Sequence, residues 1–371
     1  MASSADQARK RGRARNFARA ATASLLIACA GCGGSSGTSS PPPPDHRVLG
    51  LAANPRGVPP PTQQDYLDAV NLAINAGARG IVETNTWSSL EPAPGQYALQ
   101  NLQNDLTFQA QEGFEIYLGI QVINTVPKEV PADLMNVAWD DPQMKARFHS
   151  LLDAIRPLLN SHVAFLSIGN EVDVYLTQHP SEWVAYESFF EDALSYVHQT
   201  MPGIAAGVTT TFGGASGAGS ANVAALNTKS DVWMLTYYPL GAGYVVEPAQ
   251  SPVTDFQTML GLAGTKNVVL QEVGYPSAAI LSSSEANQAA FVTAFFQAWQ
   301  TAGRRIPFLS FFLLHDLTPD VCAQLNAYYQ VPPDAAFQAY LCTLGLRRDD
   351  DTVKASWQAF LNGAAADGFP H

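Results

Sequence analysis

The sequence predicts an α/β protein, a single (β/α)8 TIM barrel with a long segment after the eighth strand. Short apolar runs typical of buried strands alternate with stretches of helical periodicity, and the alternation repeats eight times between residues 46 and 365. Strands that alternate with helices form a parallel sheet, and eight repeats close such a sheet into a barrel. The composition is 47% hydrophobic and 14% charged, which supports one large core.

The elements follow one another along the chain in a regular order. The predicted strands are residues 48–52, 80–84, 115–120, 163–169, 205–209, 232–236, 268–271 and 307–314. The predicted helices are residues 62–76, 99–112, 142–159, 181–199, 252–262 and 284–301. The helix at 181–199 carries an apolar stripe of helical period, so its aromatic residues are expected to pack against the barrel. After the eighth strand, residues 317–347 are expected to cover the mouth of the barrel.

The first 28 residues have the features of an export signal. A basic stretch precedes a short apolar run at residues 20–28, which is too short to span a bilayer but suits a secretory signal. The run ends in L-I-A-C, which resembles a bacterial lipobox with Cys29 as the lipid-modified residue. Cys32 is an alternative, as is an ordinary signal peptide. We expect an exported protein, lipid-anchored to the bacterial cell envelope on the periplasmic side or at the surface, or otherwise secreted.

Charge and composition narrow the class of partner. Residues 29–45 are rich in Gly, Ser and Pro and predict a linker ahead of a folded domain at 46–365. The chain has a formal net charge of −12, and without the basic residues 1–28 it has −17. Such an acidic domain is a poor ligand for nucleic acid or anionic membranes. We expect no nucleic-acid partner, membrane contact only through the lipid anchor, and a monomer.

Several familiar site patterns are absent from the sequence. The glycine-rich stretch at 213–219 matches neither a dinucleotide nor a phosphate loop, and Ser216 lacks the final glycine of a nucleophile elbow. The seven histidines show no pair at metal-ligand spacing. We therefore predict no metal and no cofactor. Cys322 and Cys342 are expected either to pair as a disulfide in an oxidising compartment or to stay as two buried thiols.

Two glutamates stand where predicted strands end. Glu171 follows the apolar fourth strand, Glu272 follows the seventh, and each comes directly after an amide residue, Asn170 or Gln271. The carboxyl ends of all barrel strands meet at one rim, so both carboxylates could face one cleft. Two carboxylates across a cleft are the equipment for glycoside hydrolysis. One attacks the anomeric carbon, and the other protonates the departing oxygen.

The segments around these glutamates resemble those of retaining (β/α)8 glycoside hydrolases of clan A, nearest in motif to endo-β-1,4-galactanases and endo-β-1,3-glucanases. The resemblance covers roughly residues 48–315 and rests on four segments: N-E at 170–171, Q-E-V-G-Y-P-S at 271–277, L-T-Y-Y-P at 235–239, and W-S-S-L-E-P at 87–92. Two features of many members are missing here. The second strand lacks a late arginine, and the eighth strand does not end in a tryptophan.

The resemblance implies a retaining β-glycoside hydrolase that acts on a poly- or oligosaccharide. By this resemblance Glu171 is the acid/base, Glu272 is the nucleophile and Asn170 hydrogen-bonds the sugar 2-hydroxyl. Tyr238 would orient Glu272. Tyr237 is the alternative, because alternation along a strand points only one of the two inward.

Two further positions are candidates for contact with the sugar. Trp87 is expected either to stack on a sugar ring or to belong to the core. His315 and Asp316, just after the eighth strand, are expected to line the cleft. A barrel that binds carbohydrate without catalysis, and a transglycosylase, would use the same site and stay as alternatives.

Overall fold

The computed structural model describes residues 46–331 and 334–369. The predicted signal peptide at 1–28, the linker at 29–45, Cys29 and Cys32 lie outside the described residues. The described chain forms nine strands in one parallel sheet, in the order β5-β4-β3-β2-β1-β9-β8-β7-β6. They are β1 (Val48–Leu51), β2 (Gly80–Thr86), β3 (Glu115–Asn124), β4 (Val163–Asn170), β5 (Ala205–Gly207), β6 (Thr209–Thr211), β7 (Trp233–Tyr237), β8 (Val268–Val273) and β9 (Phe308–Phe311).

The nine strands occupy the eight positions of a nearly closed barrel. Strands β5 and β6 are separated in the chain by Val208 alone, yet they stand at opposite ends of the sheet order. β5 pairs with β4 and β6 pairs with β7, so together they fill the place of the predicted fifth strand. The predicted (β/α)8 barrel is therefore confirmed, with its fifth strand in two pieces.

All six predicted helices are present, and seven further α-helices occur in the described residues. The predicted ones are α1 (Gln63–Asn75), α3 (Gln100–Gln111), α4 (Pro142–Ile155), α6 (Trp183–Thr200), α9 (Pro252–Ala263) and α10 (Glu285–Ala302). The others are α2 (Trp87–Leu90), α5 (Val172–Gln178), α7 (Phe212–Ser216), α8 (Ser220–Leu226), α11 (Pro319–Tyr328), α12 (Ala335–Cys342) and α13 (Ala355–Ala366). Local sequence explains several starts. Thr62 and Asp65 form a capping box at α1, and Ser284 caps α10.

The core has an outer layer between strands and helices and a smaller cluster inside the barrel. The inner cluster contains Tyr117, Phe165 and Phe308, whose rings lie 5.5–6.4 Å apart. Tyr117 is fully buried, but its hydroxyl contacts Thr209 and Gln271. Apolar side chains thus fill the amino-terminal part of the barrel interior, and polar side chains form a layer at the carboxyl ends of the strands.

Residues 317–331 and 334–347, here called the lid segment, fold over those carboxyl ends. They contain α11 and α12, which a disulfide between Cys322 and Cys342 joins. Cys322, Phe337 and Leu341 form a small apolar cluster of their own. As expected, the lid segment contributes side chains to the cleft at the mouth of the barrel.

The chain after the lid segment returns to the outside of the barrel. Helix α13 packs against α10 so closely that a Cβ at Gly363 would lie 2.2 Å from the Phe296 ring. This contact requires glycine. Within the described residues, no helix combines the length and the apolarity needed to cross a bilayer.

Candidate active site

The main cleft of the described chain lies at the carboxyl end of the barrel and has a volume of about 1200 Å³. Its floor contains the two predicted glutamates and the amides that precede them. Its walls come from the loop after β1 and from the lid segment. Ligand pockets commonly have volumes of roughly 300–1,000 Å³, so this cleft has room for more than a single sugar ring.

Glu171 is held by an unusual turn at the end of β4. Its backbone is left-handed, with φ 47° and ψ 43°, and it follows Gly169, which has φ 98°. A Cβ at Gly169 would lie 2.5 Å from the Val172 side chain, so only glycine fits there. Glu171 Oε1 accepts a hydrogen bond from Thr236 Oγ1 at 2.6 Å, and Oε2 accepts one from Thr125 Oγ1 at 2.7 Å.

Glu272 lies near the end of β8 and is held by two donors. Tyr238 Oη donates to Oε2 at 2.7 Å, and Gln271 Nε2 donates to Oε1 at 3.1 Å. Tyr237 faces away from the cleft and donates to Asp255 Oδ2 at 2.7 Å on the helix side of the barrel. Because successive side chains point to opposite faces at the end of β7, Tyr238 and not Tyr237 contacts Glu272.

The two carboxyl groups share one electrostatic environment. Burial raises the pKa of Glu171, and the hydrogen bonds from Thr236 and Thr125 oppose the rise. Burial and then the charge of Glu171 raise the pKa of Glu272 to about 7, against the hydrogen bonds from Tyr238 and Gln271. Because each charge disfavours the other, the pair retains one proton near neutral pH. Such a pair can supply an acid and a nucleophile at the same time.

Gln271 links the two sides of the site from below. Its Nε2 also donates to Asn170 Oδ1 at 2.8 Å, and its Oε1 accepts from Tyr117 Oη at 2.9 Å and from Thr209 Oγ1 at 2.6 Å. Asn170 in turn donates to Asn124 Oδ1 at 3.0 Å. These buried hydrogen bonds hold the two amide side chains in place inside the barrel. Because each amide precedes one of the two glutamates, the carboxylates also have little freedom to move.

Trp87 is a core residue, so of its two expected places the one on a sugar ring is wrong. The short helix α2 turns its side chain inward, where it is fully buried and packs on Phe148 and Phe189 at 5.1 and 6.5 Å. Its Nε1 donates to Glu91 Oε2 at 2.9 Å. No face of the indole is open to the cleft.

His315 is also misplaced by the sequence prediction. It is 3% exposed and does not line the cleft, since its ring lies between the Asn54 carbonyl at 2.7 Å and Asp351 at 2.8 Å. The neighbouring Asp316 does line the cleft. Its Oδ1 accepts from Lys354 Nζ at 2.7 Å, and burial raises the pKa of Asp316 to about 6 despite that partner.

The lid segment supplies tyrosines that the sequence reasoning missed. Tyr329 and Tyr340 both line the cleft, and the charges of Glu171 and Glu272 add to burial in raising the pKa of each phenol. The Tyr340 ring lies 5.5 Å from that of Tyr238. The sequence did contain a signal for them, because the segment that was predicted to cover the mouth of the barrel is rich in tyrosine.

The lid segment is fastened to β3 through a third tyrosine. Tyr328 Oη donates to Glu129 Oε1 at 2.9 Å and accepts from Asn124 Nδ2 at 2.8 Å. Asn124 is also the partner of Asn170, so the lid segment is connected to the floor of the site. Among the described residues, no group of His, Cys, Asp or Glu side chains is arranged to hold a metal ion.

Comparison with known proteins adds information on the fold. No family model matches the chain, and no curated protein matches it. A GH5_18 protein from Bifidobacterium longum subsp. longum, solved in complex with Manβ1-4GlcNAc, superposes with a TM-score of 0.66 at 16% identity, over 86% of this chain and 78% of that one. An exo-β-1,4-mannosidase from an Opitutaceae bacterium gives 0.68 at 17% identity, over 87% and 60%.

A family 39 glycoside hydrolase from Bacteroides cellulosilyticus gives a TM-score of 0.57 at 17% identity, over 87% of this chain and 64% of that chain. The chain shares the barrel of these glycoside hydrolases. At such low identities the likeness concerns the fold. None of the three is named as a galactanase or a glucanase, so the nearer resemblance to those two groups stays a prediction.

Proposed function

We propose that this chain is a retaining β-glycoside hydrolase. The observation that carries the proposal is the pair of half-buried carboxylates at the ends of β4 and β8, in one cleft, with Tyr238 donating to Glu272. The two carboxyl groups have different donors, and burial raises the pKa of both, so the pair keeps a proton that exposed carboxyl groups would lose. Double displacement needs that proton on Glu171 and needs Glu272 to be ionised.

In the first step, Glu272 attacks the anomeric carbon as the carboxylate. The bond from that carbon to the departing oxygen breaks, and this oxygen takes the bond's electrons and the proton of Glu171. In the second step, Glu171 removes a proton from water, and the oxygen of this water attacks the anomeric carbon and releases Glu272. Asn170, which Gln271 and Asn124 hold in position, would bond the sugar 2-hydroxyl.

The substrate is proposed in less detail than the reaction mechanism. The structural neighbours that carry names include a β-mannosidase and a protein bound to Manβ1-4GlcNAc. A β-mannoside is therefore the first substrate to test, and β-glucosides, β-galactosides and β-xylosides should be tested in the same assay. We further propose that the enzyme is exported and held at the cell envelope through Cys29. An inactive carbohydrate-binding barrel is less favoured, since both carboxylates have hydrogen-bond donors that suit catalysis.

The test is the loss and chemical rescue of turnover. We expect Glu272→Ala to lose at least a thousandfold in kcat on an aryl β-glycoside that the wild type cleaves, because no nucleophile is left. Added azide should restore turnover and give the glycosyl azide of inverted configuration. Glu112→Ala, at an exposed position beyond α3, serves as the control and should retain full activity. Unimpaired hydrolysis by Glu272→Ala would refute the proposed role.

A further inference from the structure

The walls of the cleft differ in chemistry from its floor. The floor carries carboxylates, amides and hydroxyl groups, whereas the lid segment presents mainly apolar side chains to the same space, with Thr318, Asp320 and Gln324 as polar exceptions. The apolar ones are Leu317, Val321, Leu325, Val331, Phe337 and Leu341. Leu317, Leu325 and Val331 are only partly buried, so they pack on the apolar cluster around Phe337 with one side and keep surface open on the other. The mouth of the cleft therefore has an apolar wall.

The loop after β1 continues this wall. Val58 is 47% exposed, and Pro60 and Pro61 beside it also line the cleft. The loop touches the lid segment directly, since a Cβ at Gly57 would lie 2.4 Å from Thr318 Cγ2. Two separate parts of the chain thus meet at the entrance to the site, and each presents apolar side chains to it.

An apolar wall is a poor surface for a second sugar. The hydroxyl groups of a sugar lose their water on binding, and each one left without a partner costs about 1–3 kcal/mol. Aliphatic side chains offer no such partner. The carboxylate of Asp316, which lines the cleft just before the lid segment, is already held by Lys354 Nζ and by the Gly345 backbone N–H. An apolar group, by contrast, gains free energy for each methylene that it buries there.

We propose that the substrate is a β-glycoside with an apolar, non-carbohydrate aglycone, such as an alkyl chain, which lies along the wall formed by the lid segment and the loop after β1. The inference rests on the proposed function and names the substrate class of that same site. The wall is continuous with the catalytic pair through Tyr329 and Tyr340, which line the cleft beside both carboxylates. The glycone occupies the polar floor, and the departing oxygen carries the apolar group into the wall.

The experiment is a chain-length series of n-alkyl β-glycosides, from butyl to octyl, kept below their micelle concentrations. The glycone is the one that the aryl-glycoside panel selects. We expect kcat/KM to rise by up to about fourfold per added methylene, the factor for full burial of each CH2 group. We also expect the octyl glycoside to exceed a disaccharide of the same glycone. A flat series with the disaccharide preferred would overturn the inference.

Two variants locate the effect. Leu325→Asn puts a polar side chain into the wall and should reduce the rise per methylene to less than half. Val353→Asn, at an exposed site outside the cleft, should keep the full chain-length series. Equal chain-length series in both variants would place the apolar contact elsewhere and count against the lid segment.

A binding measurement separates this inference from the proposed function. Titration calorimetry with n-alkyl β-thioglycosides, which resist cleavage, measures binding to the apolar wall in the absence of turnover. Affinity that rises with chain length, together with a more negative heat-capacity change, supports the apolar site. If those signals appear while no glycoside is cleaved, the proposed function falls and the apolar site stands. If cleavage occurs without chain-length dependence in either assay, the apolar site falls.

Discussion

The hydrogen bond from Tyr238 to Glu272 gives a testable prediction, and the neighbouring Tyr237 provides a matched control. Tyr238→Phe removes a 2.7 Å bond to a buried carboxylate and changes little else in shape. Hydrogen bonds to charged groups contribute about 1.5–3 kcal/mol, and one pKa unit corresponds to about 1.36 kcal/mol. The bond favours the ionised form of Glu272, so its loss raises the pKa of that carboxyl by about one to two units.

The consequence is a displaced pH profile. The nucleophile must be ionised, so activity is lost as the pH falls through the pKa of Glu272. In Tyr238→Phe this acid limb should move up by about one to two pH units, and below it kcat/KM should fall roughly 10- to 150-fold. The assay is kcat/KM on an aryl glycoside over a range of pH, with circular dichroism to check the fold.

The matched control is Tyr237→Phe. Tyr237 donates a bond of the same 2.7 Å length, but to Asp255 on the outer side of the strand. Its loss should lower the free energy of unfolding by about 1–3 kcal/mol and leave the pH profile unchanged. If the two variants shift the acid limb equally, or if neither does, Tyr238 does not set the ionisation of Glu272 and the reasoning is refuted.

Two further predictions follow from charges in and beside the cleft. In the wild type burial raises the pKa of Glu171, and activity should decline on the basic side of the pH profile as Glu171 loses the proton that it gives to the departing oxygen. Glu171→Gln, assayed by kcat/KM on a dinitrophenyl glycoside whose leaving group needs no proton, should lose this basic limb. A basic limb that persists unchanged in this variant would contradict the assignment. Lys354→Met should cost about 3–5 kcal/mol in urea unfolding, because it leaves the Asp316 carboxylate buried without its cation, whereas Lys229→Met on the surface should cost under about 1 kcal/mol. Equal losses in the two lysine variants would contradict this account.

The barrel and its catalytic pair were predictable because both depend on local sequence. A buried parallel strand is a continuous apolar run, and the residue where the run stops lies at the rim of the barrel. This reasoning placed Glu171 and Glu272 in one cleft from their positions in the repeat. It could not decide between Tyr237 and Tyr238, because the strand end was known only to within a residue or two and a shift of one residue exchanges the two faces.

The errors at Trp87 and His315 have a different origin. Both residues follow a strand, as catalytic residues do, but short turns after the strand rotate them away from the cleft. Helix α2 carries Trp87 into the core, and the contacts with Asn54 and Asp351 hold His315 beneath the rim. Tyr329 and Tyr340 were missed because they reach the site only after α11 and α12 fold back over the barrel. That tertiary arrangement leaves no local pattern.

The left-handed backbone at Glu171 has a consequence for how this protein responds to selection. A residue with a Cβ in that conformation costs about 1–3 kcal/mol, a cost that glycine avoids. Heat resistance alone would therefore favour replacement of the very side chain on which turnover depends. A library sorted only for survival at high temperature should accumulate inactive proteins changed at this position. Any search for a hardier form must select for catalysis and for folding together.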